Sequence, residues 1–95
     1  MKKIVLEGYI EVPENELDSV LEELPTHVRL TENEPGCICF NVVQRQDEPR
    51  VFDVYEEFES QEAFDLHQSR VKTSAWGTVT VNVSRNYEIT EVEYS

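Results

Sequence analysis

The hydrophobic pattern changes its period at Ser60, and this change limits what the middle of the chain can fold into. From Val51 to Phe58 two sets of side chains alternate, which is typical of a strand. After Ser60 the apolar residues recur at the spacing of a helix, and the Ser60 hydroxyl is suited to cap its first turn. The pattern therefore predicts a strand followed directly by an amphipathic helix that ends near Ala75.

The buried face of this predicted helix carries one histidine. At about 100° per residue, His67 lies in the middle of the apolar stripe. Glu56 is the one charged member of the apolar set on the preceding strand. We therefore expect an imidazole and a carboxylate to meet where strand and helix pack. They form either a catalytic pair or a buried polar pair that satisfies its own hydrogen bonds. The stripe consists of Ala63, Phe64, His67, Val71, Ser74 and Ala75.

The remaining segments complete a six-element pattern in a single domain, residues 1–95. We predict a strand over residues 3–12, a helix over residues 13–31 that continues through Pro25 with a kink, a strand over residues 37–44, and a last strand over residues 78–93. His27 is placed at the edge of the first helix's apolar stripe, at the surface or half-buried. The order is that of a ferredoxin-like split βαββαβ fold, a four-stranded antiparallel sheet with both helices on one face.

Composition excludes some classes of partner. Twenty acidic and eight basic residues give a formal charge of -12, which opposes binding to nucleic acid and to anionic membranes. No stretch is long and apolar enough to span a bilayer, so we expect a soluble cytoplasmic protein. Cys37 and Cys39 are expected to point to one face as reduced, mostly buried thiols, and they make a poor metal pattern.

With both helices on one face, the other face of the sheet is uncovered in a monomer. Val5, Tyr9 and Tyr55 are among the residues that make the two faces look apolar, with few charges. An exposed apolar sheet face is typical of a partner site. We therefore predict a homodimer formed by sheet-to-sheet packing.

Three motifs carry a resemblance to a known family. They are Glu-Pro-Gly-Cys at residues 34–37, Phe-Asp-Val-Tyr-Glu at residues 52–56, and Ser-Gln-Glu-Ala-Phe-Asp-Leu-His-Gln-Ser at residues 60–69. In sequence, spacing and order the chain resembles the antibiotic biosynthesis monooxygenase domain family. The resemblance implies a dimeric α/β barrel with a pocket between sheet and helices in each subunit. It also implies a small aromatic or quinone-like substrate, molecular oxygen, and no metal, flavin or haem cofactor.

By position His67 matches the family's helix histidine and Glu56 its strand carboxylate. The resulting hypothesis is a cofactor-independent monooxygenase of the quinol monooxygenase type, with His67 as base and Glu56 orienting it. Two alternatives stay open, an acid/base isomerase of a small hydroxy-ketone and a non-catalytic dimeric module that binds a small molecule. The residues expected to line the substrate pocket are Trp76, Phe40, Phe58, Phe64 and Asn41.

Overall fold

A computed structural model describes residues 1–94 of the chain. Four antiparallel strands form one sheet in the order β2-β3-β1-β4, and the helices pack on one of its faces. This arrangement confirms the ferredoxin-like fold. The elements are β1 (Lys2–Glu11), α1 (Leu17–Glu32), β2 (Cys37–Gln44), β3 (Val51–Phe58), α2 (Gln61–Lys72), α3 (Ala75–Val79) and β4 (Ser84–Glu93), with a 3₁₀ turn (Glu14–Glu16) before α1.

The core lies between the two central strands and the helices. Because side chains alternate along a strand, Leu6 of β1 and Phe52 of β3 share the helix-facing side with their neighbours two residues away. Phe52 and Phe58 are fully buried. The core therefore forms where the alternating patterns predict it. Its members include Ile4, Leu6, Ile10, Val12, Val20, Phe52, Val54, Phe58, Ala63, Phe64, Trp76 and Val83.

The first helix is continuous through Pro25, and His27 lies on its buried side. Val20, His27 and Thr31 are its buried residues, spaced by seven and four, whereas Leu21 is exposed. His27 is only 4% exposed, so its predicted place at the surface or half-buried is wrong. His27 is buried because α3, a helix that the sequence pattern did not predict, packs beside α1. Within residues 1–94, no helix is long and apolar enough to cross a membrane.

The region between α2 and β4 also differs from prediction. α2 ends at Lys72, and a new short helix, α3, takes residues assigned to the end of α2 and the start of the last strand. The Ser74 hydroxyl accepts a hydrogen bond from the Gly77 N–H and so caps α3. A Cβ at Gly77 would lie 2.3 Å from the Val71 carbonyl oxygen, so only glycine lets α3 fold back this closely on α2. This turn brings Trp76 into the core.

A bulge in β2 separates the two cysteines. Cys37 pairs with Phe58 on the helix-facing side of the sheet, and Cys39 pairs with Glu57 on the other side. Ile38 is the extra residue of the bulge and is 51% exposed. The prediction that both thiols point to one face is therefore wrong. Both are free and half-buried.

The face of the sheet away from the helices, here called the outer face, is more polar than the sequence pattern suggested. The Lys3 Nζ lies 2.7 Å from a Glu57 carboxylate oxygen, and the Arg45 Nη2 lies 2.8 Å from an Asp53 carboxylate oxygen. The expectation of few charges on this face is wrong. The homodimer itself stays a prediction.

Candidate active site

A cavity of about 190 Å³ lies between the sheet and the three helices. It is the place where two buried histidines and a buried carboxyl group come together. A larger depression of about 520 Å³, here called the vestibule, shares Gln68, Val71 and Arg85 with it. The cavity therefore adjoins a more open space near the surface. Its lining consists of Leu6, His27, Glu56, His67, Gln68, Val71, Trp76, Arg85 and Tyr87.

His67 is held in one orientation by Glu34. The His67 Nδ1 lies 2.7 Å from a Glu34 carboxylate oxygen, and the Arg70 guanidinium binds the second oxygen of the same carboxylate. A carboxylate only accepts hydrogen bonds, so His67 carries its proton on Nδ1 and its lone pair on Nε2. Burial lowers the pKa of His67, while Glu34 opposes that shift and Arg70 adds to it. The neutral imidazole therefore presents a basic nitrogen on the side of the cavity.

Glu34 reaches His67 because the turn before β2 packs tightly on α2. Gly36 has a backbone φ of +90°, a value that residues with a side chain rarely adopt. A Cβ at Gly36 would also lie 2.6 Å from the Ala63 Cβ. From the sequence, Glu34 was placed only in a family motif and was given no role of its own. The Pro35-Gly36 turn directly after Glu34 was the available signal, but the pairing of Glu34 with a residue 33 positions later depends on the fold.

Glu56 lies in the cavity but does not orient His67. Its nearer carboxyl oxygen is 3.7 Å from the His67 Nε2, too far for a hydrogen bond. Burial, with a smaller contribution from the charge of Glu34, raises the pKa of Glu56 to about 8. The predicted orienting role of Glu56 is therefore wrong, since Glu34 performs it. At pH 7 Glu56 is a neutral acid that can donate a hydrogen bond or a proton.

His27 lines the cavity but was not predicted from the sequence to be a site residue. Its ring stacks on Trp76 with centroids 4.5 Å apart and planes 3° from parallel. Burial, together with the nearby His67 and Arg70, lowers the pKa of His27 to about 3, so the ring stays neutral. Its Nδ1 is buried and has no hydrogen-bond partner within residues 1–94. The seven-residue spacing from Val20 was the signal that could have placed it on the buried face.

Of the five residues predicted to line the pocket, Trp76 does so. Phe40 packs edge-on against His27, and Phe58 packs against His67 with ring centroids 4.8 Å apart. Phe64 packs in turn on Phe58, so the three phenylalanines support the cavity wall from behind. Asn41 is exposed on the outer face, where it bonds to Cys39, and its predicted place in the pocket is wrong.

The open end of the cavity is formed by β4. Arg85 pairs with Ile10 and Tyr87 pairs with Gly8, so both lie on the helix-facing side of the sheet. The Arg85 Nη2 donates to the Thr80 carbonyl oxygen at 3.2 Å and to the Thr80 hydroxyl at 3.1 Å. Tyr87 is 37% exposed, and its partial burial, followed by the charge of Glu56, raises its pKa to about 12, so it remains a phenol. Both residues lie within the predicted last strand, residues 78–93, but neither was selected from the sequence as a site residue.

The family model described as antibiotic biosynthesis monooxygenase matches residues 3–77. No significant match to a curated protein was found. The chain is, however, similar to several solved structures along almost its whole length.

A Nitrosomonas europaea protein provisionally described as an antibiotic biosynthesis monooxygenase has a TM-score of 0.75 at 17% identity, covering 99% of this chain and 98% of that one. A Pseudomonas aeruginosa protein has a TM-score of 0.74 at 17% identity, covering 100% and 96%. A structure described as an antibiotic biosynthesis monooxygenase has a TM-score of 0.71 at 19% identity, covering 100% and 99%. At these identities the similarities support the fold.

Proposed function

Because the chain belongs to the antibiotic biosynthesis monooxygenase family, we propose that it oxidises a small quinol-type aromatic substrate with molecular oxygen and without a bound cofactor. One observation carries the proposal. In the cavity the basic Nε2 of His67, fixed from behind by Glu34, lies 3.7 Å from the neutral acid Glu56. A base and an acid thus stand side by side in a buried space, as proton abstraction followed by proton return requires.

The chemistry needs no reductant other than the substrate. His67 takes a phenolic proton, and the resulting anion gives one electron to oxygen. Recombination forms a carbon–oxygen bond, and Glu56 protonates the peroxide. The oxygenated ring carbon then loses its hydrogen as the O–O bond breaks, which releases water and leaves a carbonyl on the ring. Overall, SH₂ and O₂ give SO and H₂O, and all four electrons that reduce O₂ come from the substrate. After product release, water carries the proton of His67 back to Glu56, because the 3.7 Å between their nearest atoms is too long for a direct hydrogen bond.

The cavity's size favours one aromatic ring. Its volume of about 190 Å³ is below the roughly 300–1,000 Å³ of most ligand pockets. A cavity of about 150 Å³ is known to hold one benzene molecule. The Trp76–His27 stack offers a flat wall for such a ring. A ring with two oxygens can reach His67 and Glu56 together, which is the pattern of a hydroquinone.

We also propose that the protein acts as a homodimer in the cytoplasm. Every residue of β4 is exposed, including Ile89 at 51%, and Val43 of β2 is 60% exposed. Apolar side chains on both edge strands would gain from a second subunit. Free Cys37 and Cys39 fit a reducing compartment. A mass measured by light scattering that stays at the monomer value at all protein concentrations would contradict the dimer.

The same acid and base also suit a second reaction. An isomerase of a small hydroxy-ketone moves a proton between neighbouring atoms, and the 3.7 Å separation of His67 and Glu56 fits such a transfer. That reaction consumes no oxygen. Oxygen dependence therefore separates the two functions.

The test is oxygen uptake by metal-stripped protein supplied with single-ring hydroquinones. We expect uptake above the spontaneous rate, and His67→Ala should reduce it by about 10²–10⁴-fold, the range typical of a lost acid/base group. Leu66→Ala is the matched control, since this neighbour on α2 is 65% exposed. Uptake that is equal in wild type and His67→Ala would contradict the proposal. Proton exchange into a hydroxy-ketone without oxygen uptake would favour the isomerase.

A further inference from the structure

The vestibule has a distinctive charge. It is lined by Gln68, Val71, Lys72, Gly77, Val81 and Arg85, which include two cations and no acidic residue. In a chain with 20 acidic and eight basic residues, such a lining is unusual. The lining of the vestibule thus carries positive charge in a chain of formal net charge -12, which favours an anion there.

Arg85 is also free to bind a ligand. Arg45, Arg50 and Arg70 each pair with a carboxylate. Arg29 has no such pair among residues 1–94, but it is exposed and lines neither space. Arg85 instead donates to the oxygens of Thr80 and, at 3.4 Å, to the Val83 carbonyl oxygen, with no carboxylate within 4 Å among residues 1–94. These neutral acceptors hold the guanidinium in place without neutralising it. An oriented guanidinium is well suited to a planar or tetrahedral oxyanion.

Glu56, the one acidic residue among residues 1–94 that lines the cavity, does not repel an anion at neutral pH. Glu56 faces the cavity from β3, and burial raises its pKa to about 8, so it is neutral at pH 7. His27 from α1 and His67 from α2 are neutral too, because burial lowers the pKa of each. The positive end of the site is thus defined by Arg85, with Lys72 farther out in the vestibule.

From this geometry we infer that the substrate is an aromatic acid, with its ring in the cavity and its anionic group in the vestibule against Arg85 and Lys72. The inference rests on the proposed function only in taking the cavity as the substrate site. The inferred substrate is thus a hydroxylated aromatic compound whose ring bears a carboxylate or a similar oxyanion. Gln68 and Val71, shared by the two spaces, form the passage that the substituent crosses.

Binding can be measured without turnover, because the chain has a single tryptophan and it lines the cavity. The probes are 4-hydroxybenzoate and its neutral isostere 4-hydroxybenzamide, titrated at pH 7 while Trp76 fluorescence is followed. We expect the acid to bind about 10- to 100-fold more tightly, the range of a charge-assisted hydrogen bond, and the preference to shrink with added salt.

Arg85→Gln should remove most of this preference, and Lys72→Gln should reduce it by a smaller factor. Arg29→Gln is the matched control, because it makes the same change of charge at an exposed α1 position that lines neither space. The wild-type protein alone can overturn the inference. It would do so by binding 4-hydroxybenzoate and 4-hydroxybenzamide with equal affinity, or by binding neither. If 4-hydroxybenzoate binds more tightly than the amide but the protein takes up no oxygen with hydroquinones, the anion site is supported and only the proposed oxidation is refuted.

Discussion

Replacing Glu56 with glutamine tests whether this carboxyl group is neutral in the folded protein. In the unfolded chain its pKa is about 4.5, whereas burial raises it to about 8 in the fold. Between these values the folded state holds a proton that the unfolded state has lost. The free energy of unfolding therefore falls as pH rises through this window. Glutamine keeps the shape of the protonated group and cannot ionise.

The size of the effect follows from the pKa. One pH unit corresponds to about 1.4 kcal/mol while only the folded state is protonated. From pH 6.5 to 8, where the folded group becomes half ionised, the stability of the wild type should fall by about 1.6 kcal/mol relative to Glu56→Gln. His27 and His67 titrate in the unfolded state near the start of this range, with the opposite sign, but they are present in both proteins and cancel in the difference.

The assay is urea unfolding at fixed protein concentration, followed by circular dichroism and Trp76 fluorescence at several pH values. The difference in unfolding free energy between wild type and Glu56→Gln is the quantity of interest. If this difference stays constant within about 0.3 kcal/mol from pH 6.5 to 8, Glu56 does not ionise in this pH range in the folded protein. The acid role proposed for Glu56 would then be refuted.

Other predictions concern the surroundings of His67. Glu34→Gln should lower turnover by about 10- to 100-fold with little loss of ligand binding, the usual cost of losing a partner that orients a functional histidine; equal turnover would contradict the orienting role. Gly36→Ala should destabilise the fold by at least about 1–3 kcal/mol, measured by urea unfolding, since its positive φ and its contact with α2 both exclude a Cβ; an unchanged midpoint would refute this. His27→Phe removes a buried nitrogen that has no partner while keeping the stack on Trp76, so stability should rise by about 1 kcal/mol; a clear loss would show that Nδ1 is satisfied in the native protein. Cys37 should react slowly with an alkylating reagent at pH 7 and faster with rising pH, because burial and nearby acids raise its pKa to about 11; rapid labelling at pH 7 would contradict this.

The parts of the fold that depend on local periodicity were predictable from the sequence. The alternation in Val51–Phe58 and the Ser60 cap placed β3 and the start of α2 correctly, and with them the burial of His67 and Glu56. The alternating valines after Thr78 look like a strand, yet the Ser74 cap and the close approach at Gly77 start a helix there instead. The local sequence pattern could not distinguish a strand from a helix here, because the outcome depends on a tertiary contact, the packing of Gly77 against α2.

The errors at the site have the same origin. Glu34 and Glu56 are both carboxylates near His67, and only the packing of the Gly36 turn on α2 determines which one bonds to it. The bulge at Ile38 likewise shifts the register by one residue and sends the cysteines to opposite faces. A histidine and a carboxylate could thus be selected from sequence, whereas the partner of each depends on contacts between distant segments.

The most direct test of the proposed reaction is the fate of isotopically labelled oxygen. Metal-stripped protein would be supplied with ¹⁸O₂ and a single-ring hydroquinone bearing a carboxylate, and the product examined by mass spectrometry beside a His67→Ala control. We expect one labelled oxygen atom in the product for each oxygen molecule consumed, with the other in water. Turnover that depends on His67 but leaves no label in the product would contradict the monooxygenase reaction and favour acid/base isomerisation.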